Sequence, residues 1–178
     1  MLAYQRLGPA PAPAWLVLHG GPGSGSHPGL LRDFDPARHR VIAPDQRGSG
    51  ASTPRGSTRA NTTSRLVADL ELLRCSLGIA RWSVLAGSWG TVLALAYAQQ
   101  HPQRVQRLVL RGAFALSLRE IGGLLQPTRQ TLQRLGAAPC WPVRPATPLP
   151  VALRRLTQLL QSGTAAVAPL RGAVPVVR

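Results

Sequence analysis

A serine set among small residues is the sharpest chemical feature of this 178-residue chain. Leu85-Ala86-Gly87-Ser88-Trp89-Gly90 joins the apolar run Trp82-Ser83-Val84-Leu85-Ala86 to an Ala/Leu-rich stretch that begins at about Thr91. A serine on so tight a strand-to-helix turn presents its hydroxyl for nucleophilic attack, and its neighbours must be small because the backbone is strained and the helix packs close to the strand. Ala86 stands where the G-x-S-x-G pattern carries its first glycine, which leaves the backbone less free. The positive end of the following helix favours both an attacking alkoxide and an oxyanion. An inert serine in a small-residue turn is the competing reading of the same segment.

A second segment, His19-Gly20-Gly21-Pro22-Gly23, follows the apolar run Trp15-Leu16-Val17-Leu18. Glycines there let main-chain N–H groups point at an incoming oxygen, so an oxyanion hole is expected from the N–H of Trp89 and that of Gly21, with Gly20 as the nearest competitor. By itself such a loop is more often only a turn. Its separation from Ser88 by a strand, a helix and a strand gives it weight.

Serine hydrolysis also needs a base within about 3 Å of the hydroxyl and an acid to orient that base. After Ser88 the chain offers one histidine, His101, and one acid, Glu120. His101 sits at the far end of the helix that starts at the serine, roughly 20 Å away, so it reads as part of the helix stop. Among the earlier histidines, His19 lies in the glycine loop and is the one surrogate base within reach, although a structural role is the plainer reading. His27 reads as solvated and His39 as surface. No triad acid or base is identified. Cys75 and Cys140 have neither metal-ligand spacing nor the makings of a disulfide framework.

The elements that must position these residues follow from periodicity and punctuation. The short continuous apolar run at 15–18 suits a strand buried on both faces, and 40–43, 82–86 and 105–110 read as three further strands. Leu66, Leu70, Leu73 and Leu77 form one stripe of a helix over 64–77, with Asn61, Thr62 and Thr63 as N-cap candidates and Gly78 as its stop. Asn61-Thr62-Thr63 also spells a glycosylation acceptor, for which the cap is the better reading. A second helix is expected from about Thr91 to Gln100, ended by His101-Pro102. Pro9, Pro11 and Pro13 make residues 9–13 a lead-in, and 24–38 reads as loop with at most one helical turn. Strands alternating with helices over short connections predict an α/β fold with a mostly parallel sheet and flanking helices.

Composition bounds the rest. All 21 basic residues are Arg, against six acids, for a net charge of +15. Residues 1–120 hold 14 Arg and all six acids, whereas 121–178 hold seven Arg, no acid and eight of the 17 prolines. Hydrophobic content of 44% supports a buried core. The longest apolar runs fall far short of the ~18–20 residues that cross a bilayer. With no secretory apolar region at the N-terminus, the protein reads as cytoplasmic, with no membrane partner. A strongly basic chain suggests nucleic acid, but residues 121–178 hold one aromatic, Trp141, so no dedicated nucleic-acid site is expected. The expected division is a partial core over 1–121 and an Arg/Pro-rich tail over 122–178, irregular apart from a short helix near 153–160.

The motifs together resemble one family. His19-Gly20-Gly21-Pro22-Gly23, Asp45-Gln46-Arg47-Gly48-Ser49-Gly50, Asn61-Thr62-Thr63, Gly87-Ser88-Trp89-Gly90 and Leu108-Val109-Leu110-Arg111-Gly112 stand in the order seen in proline iminopeptidases, which are α/β-hydrolases. The resemblance covers about residues 4–121. It implies an incomplete α/β-hydrolase core and serine-dependent release of N-terminal proline from peptides, without metal or cofactor. It also implies that Ser88 is the nucleophile, that Glu120 is not the triad acid, and that His19 is structural. An esterase-like α/β-hydrolase or a non-catalytic basic fragment are the alternatives, and the missing triad partners predict little or no activity. Family members recognise the substrate amine with carboxylates from a helical cap domain, and no acid after Glu120 is present for that task. The loss of acids and the proline load after Ile121 read as translation out of frame, with a genuine Arg/Pro-rich tail as the rival.

Overall fold

The computed structural model describes residues 1–113, 117, 119–121 and 147–162. The chain divides into two compact units, Met1–Ala115 and Leu116–Arg178.

The first unit is built on a five-stranded sheet: β1 (Tyr4–Leu7), β2 (Ala14–Leu18), β3 (Arg40–Pro44), β4 (Trp82–Gly87) and β5 (Val105–Arg111), in the order β1-β3-β2-β4-β5. The four predicted strands are β2 to β5 and run parallel, as expected. β1 is an addition to that expectation. It pairs antiparallel with β3 and is mostly exposed, and its polar sequence, Tyr4-Gln5-Arg6-Leu7, carries no apolar run that would mark it as a strand.

Two helices pack on one face of the sheet. Helix α1 (Thr63–Ser76) turns Leu66, Val67, Leu70 and Leu73 inward. Thr62 caps it, its hydroxyl accepting from the N–H of Arg65 at 3.4 Å. Gly78 ends it at φ +64°, a left-handed conformation that costs glycine least. Helix α2 (Trp89–Gln100) begins two residues before the expected start, because the turn at Ser88 leads straight into helical backbone. Leu93, Ala94 and Tyr97 of α2 join the α1 leucines over Leu16, Leu18, Ile42, Val84 and Ala86 of the sheet in one buried cluster. Each fully buried leucine there contributes about 1.5–3 kcal/mol. The opposite face holds a smaller cluster, in which Val17, Val41 and Ala43 pack under Leu30, Leu31 and Phe34 of the 24–38 loop. That loop includes a single 3-10 turn at Pro28–Leu30, the one helical turn expected there.

A polar clasp joins the two helices. The Glu71 carboxylate accepts from the Arg74 guanidinium at 2.6 and 2.9 Å and from the Tyr97 hydroxyl at 2.8 Å. The Arg74 bonds above all, with help from the Tyr97 hydroxyl, lower the Glu71 carboxyl from its ordinary value to about 2. Burial and the acceptor Glu71 raise the Tyr97 phenol.

In the second unit, Ser117 and Glu120 form a reciprocal cap. Glu120 Oε2 accepts from the Ser117 N–H at 2.9 Å and from its hydroxyl at 2.7 Å, the arrangement of a capping box. Helix α3 (Leu149–Ser162) contains the short helix expected near 153–160 and extends it at both ends. The remainder of the expected 122–178 tail lies outside the described residues. No helix among the described residues is long and apolar enough to cross a membrane.

Candidate active site

Register brings the two glycine-bearing motifs together. Leu16, Val17 and Leu18 of β2 stand opposite Val84, Leu85 and Ala86 of β4, so both strands end level. The next residues, His19-Gly20 and Gly87-Ser88, therefore emerge side by side at the carboxyl end of the sheet. A side chain on Gly20 would begin 3.2 Å from both the Gly87 carbonyl oxygen and Ser88 Cβ, and 3.8 Å from Ser88 Oγ. Glycine lets the loop pass this closely without displacing its neighbours.

Ser88 itself occupies φ +51°, ψ −125° at the N-cap of α2. A non-glycine residue in that region carries strain of about 1–3 kcal/mol, held in place by its surroundings. Three contacts hold it. The Ser88 N–H donates to the Arg111 carbonyl oxygen at 3.0 Å. The Ser88 carbonyl accepts from the Thr91 N–H at 2.8 Å and from the Thr91 hydroxyl at 2.6 Å. Gly90 lies so close to β2 that a Cβ would fall 2.7 Å from the Leu18 carbonyl oxygen and 2.8 Å from that of His19. The hydroxyl thereby stands exposed at the start of the helix.

The two expected oxyanion donors sit on either side of this turn. Trp89 is the first residue of α2, where main-chain N–H groups have no partner within the helix. Gly21 adopts φ +122° in the adjoining loop. Among the described residues neither N–H has a hydrogen-bond acceptor.

His19 performs the structural role expected of it. The ring is buried between the two loops. Its Nε2 accepts from the Gln46 N–H at 3.0 Å, and Nδ1 lies 2.8 Å from the Gly20 carbonyl oxygen. The Gly25 N–H also lies 3.2 Å from Nδ1. Burial lowers the His19 pKa from its ordinary value, because the cation would be poorly solvated. Both ring nitrogens are occupied, so His19 cannot also serve Ser88.

Asp45 is a residue whose role the sequence left unassigned. Its carboxylate accepts from the Ser26 N–H at 2.5 Å and from the Ala51 N–H at 2.8 Å, tying the 24–38 loop to the turn that follows β3. Gly50 is required against it, since a Cβ there would overlap the carboxylate. The Asp-x-x-Gly-x-Gly spacing was the available signal: an acid followed closely by glycines often marks a carboxylate bonded to its own loop. Arg47 is held by both carboxylate oxygens of Asp69, at 2.6 and 2.9 Å.

Among the described residues of the first unit, no histidine or carboxylate hydrogen-bonds Ser88. Asp45, Asp69 and Glu71 are held by the partners given above, Glu120 caps its own turn, and His101 ends α2 with its ring tilted 40° against that of Tyr97, centroids 5.1 Å apart. Beside the turn lies a cavity of about 680 Å³, bounded by Pro22 and Gly23, by residues 46–49, by the 56–63 loop and by Trp89. Its walls carry hydroxyls, amides and the Arg47 side chain, and no carboxylate is among the lining residues.

A family model described as the α/β-hydrolase fold matches residues 13–138, reaching past Ile121. The chain is 51% identical to a proline iminopeptidase of Xylella fastidiosa strain 9a5c over 115 residues, which is 65% of this chain and 37% of that one. It is 48% identical to a proline iminopeptidase of Arabidopsis thaliana over 120 residues, 67% of this chain and 32% of that one. The chain thus spans about a third of the length of these curated relatives. The crystal structure of a proline iminopeptidase-related protein from Thermus thermophilus superposes with a TM-score of 0.64 at 28% identity, covering 97% of this chain and 68% of that one.

Proposed function

The chain belongs to the α/β-hydrolase fold family, and from that premise we propose that it carries the nucleophile-bearing part of a serine aminopeptidase of the prolyl type. In this reading Ser88 attacks the carbonyl carbon of an N-terminal proline. The main-chain N–H groups of Trp89 and Gly21 receive the oxyanion, which the start of α2 further stabilises. The substrate is a peptide with N-terminal proline in the cytoplasm, and no metal or cofactor takes part.

The observation that carries the reading is the strained Ser88 backbone at φ +51°, exposed at a helix N-terminus with Gly20 packed against it. An inert surface serine has no reason to sit in a sparsely populated region that three separate contacts maintain. The identity to curated proline iminopeptidases over the same residues supports the substrate class.

One observation favours a second reading, a silent site. With no histidine or carboxylate bonded to Ser88, the rate falls to what the oxyanion hole and binding supply alone. Fluorophosphonate labelling of Ser88, run beside hydrolysis of a proline amide, separates the two. Slow labelling that Ser88→Ala abolishes, with little turnover, is the expected result. Failure of Ser88 to label at any rate would sink the nucleophile assignment.

A further inference from the structure

The loop that carries the expected oxyanion donors is held by one glutamine. Gln46, the second residue after β3, is 4% exposed and meets His19 twice. Its side-chain amide donates to the His19 carbonyl oxygen at 2.9 Å, and its main-chain N–H donates to His19 Nε2 at 3.0 Å. A carbonyl can only accept, so the amide nitrogen of Gln46, and not its oxygen, faces His19. The Gln46 main-chain carbonyl is fixed in turn by Ser49, accepting from its N–H and from its hydroxyl, both at 2.9 Å. The His19 carbonyl oxygen is also the one that a Cβ on Gly90 would meet at 2.8 Å. Gln46 and the first turn of α2 therefore both lie against it.

A trans peptide is planar, and its C=O and N–H point in opposite directions. The His19–Gly20 and Gly20–Gly21 peptides are both trans. Holding the His19 carbonyl thus fixes the first plane and the direction of the Gly20 N–H. The second plane lies against the His19 ring, whose Nδ1 is 2.8 Å from the Gly20 carbonyl oxygen. The Gly21 N–H consequently points away from that ring. Gln46 governs both planes, the first through its amide and the second through the ring that its own N–H holds. Glycine has no Cβ to restrict its backbone, so these planes depend on such contacts for their direction.

We propose that Gln46 is a positioning residue for the reaction: it sets the His19-Gly20-Gly21 backbone so that a main-chain N–H of that loop meets the oxyanion formed on attack by Ser88. This rests on the nucleophile reading above. Gln46 acts through the loop and not on the serine itself. Oxyanion stabilisation depends steeply on the placement of each donor, and loss of one costs about 10²–10³ in rate. A glutamine that only satisfied a buried carbonyl would alter stability and leave the chemistry of Ser88 alone.

The test uses the full 178-residue chain and a fluorophosphonate. Ser88 Oγ displaces fluoride from phosphorus, its proton passing to solvent, and leaves a phosphonyl oxygen in the oxyanion position. Gln46→Met keeps the length of the side chain and removes the amide donor. Ser52→Ala is the matched control, because its buried hydroxyl braces the same turn without touching His19. That hydroxyl donates to the Asp45 carbonyl at 2.7 Å and accepts from the Ala3 N–H at 2.9 Å. Both variants should lower the melting temperature. Gln46→Met is expected to slow labelling by about tenfold or more, and Ser52→Ala to leave it unchanged. In the labelled wild-type chain, amide exchange should slow by about tenfold or more at Trp89 and at Gly21 or Gly20. Labelled Gln46→Met should keep the protection of Trp89 and lose that of the glycine.

Labelling of Gln46→Met at the wild-type rate, or equal slowing by Ser52→Ala, overturns the proposal. Should Gln46→Met fail to fold, the wild-type chain decides: free solvent exchange of the Gln46 side-chain amide overturns it, and slow exchange sustains it. A wild-type Ser88 that never labels overturns the nucleophile reading instead. The Gly20 and Gly21 amide resonances then decide the clamp by itself, which stands if Gln46→Met shifts them and Ser52→Ala does not.

Discussion

The Ser88 N–H and the Arg111 carbonyl oxygen are joined by a 3.0 Å hydrogen bond, so the candidate nucleophile is fastened to the last residue of β5. The bond crosses from the end of β4 to the end of its parallel neighbour, where Gly87 and Arg111 stand in register. It leaves the strained turn dependent on β5 being in place, and it couples an exposed strand to the chemistry of a residue far from it in sequence.

Backbone strain at Ser88 is measurable as stability. Ser88→Gly relieves the positive φ and should raise unfolding free energy by about 1 kcal/mol, whereas Ser88→Ala keeps the strain and should leave it near wild type. Urea denaturation of the two variants side by side checks the difference. Equal stabilities would show that the turn is relaxed.

Close approach of α2 to β2 makes Gly90 sensitive to a single methyl group. Gly90→Ala puts a Cβ within 2.8 Å of two main-chain carbonyl oxygens, and neither carbonyl can withdraw without disturbing the sheet. The expected loss is about 3 kcal/mol, read by urea or thermal denaturation. A loss under half of that would mean that α2 can shift outward.

The carboxylate of Asp45 serves two loops at once. Asp45→Asn replaces one acceptor oxygen with a donor, so either the Ser26 or the Ala51 N–H loses its partner and the remaining bond loses its charge. Destabilisation of about 2 kcal/mol is expected, with amide exchange faster at Ser26 or Ala51 while that of β4 holds.

Two groups set the acid side of the stability profile. Burial lowers the His19 pKa below that of the unfolded chain, so the unfolded state binds the proton first and stability falls as the pH drops below about 6.5. Glu71 is lowered from 4.5 to about 2, so its contribution is fully present above pH 4.5 and is lost as the pH falls toward 2. His19→Gln should flatten the first decline and Glu71→Gln the second, each leaving the other in place. Chemical denaturation at a series of pH values resolves both windows.

The out-of-frame reading of the part after Ile121 is also open to direct test. Another frame of the coding DNA is expected to carry cap-domain sequence beyond codon 121. If neither of the other two frames does so, the reading fails.

Much of the fold was legible in the chain itself. β2, β3 and β4 are continuous apolar runs between glycines and prolines, and the leucine spacing of α1 fits only a helix with one buried face. The turn at Ser88 was legible for the same reason: small residues between a buried strand and a helix leave few other conformations. β1 was not legible, because an exposed antiparallel edge needs no apolar pattern and is specified by its partner β3. The absence of a base was legible as composition, since a chain with four histidines and six acids leaves few to assign.

What only the tertiary structure decided was where those few groups went. His19 is next to the serine in space, yet both its nitrogens are already bonded, one of them to Gln46 on another loop. Asp45 sits as close to the glycine loop, yet its oxygens hold main-chain N–H groups. Which hydrogen bonds a side chain makes depends on residues distant in sequence, and burial penalises every polar group left unpaired, so the fold commits these groups to structure. The sequence by itself determined a candidate nucleophile on a tight turn beside a glycine loop. The register of β2 with β4, and the bond from Ser88 to Arg111, decided that this turn is built and that the His19 and Asp45 side chains beside it are committed elsewhere.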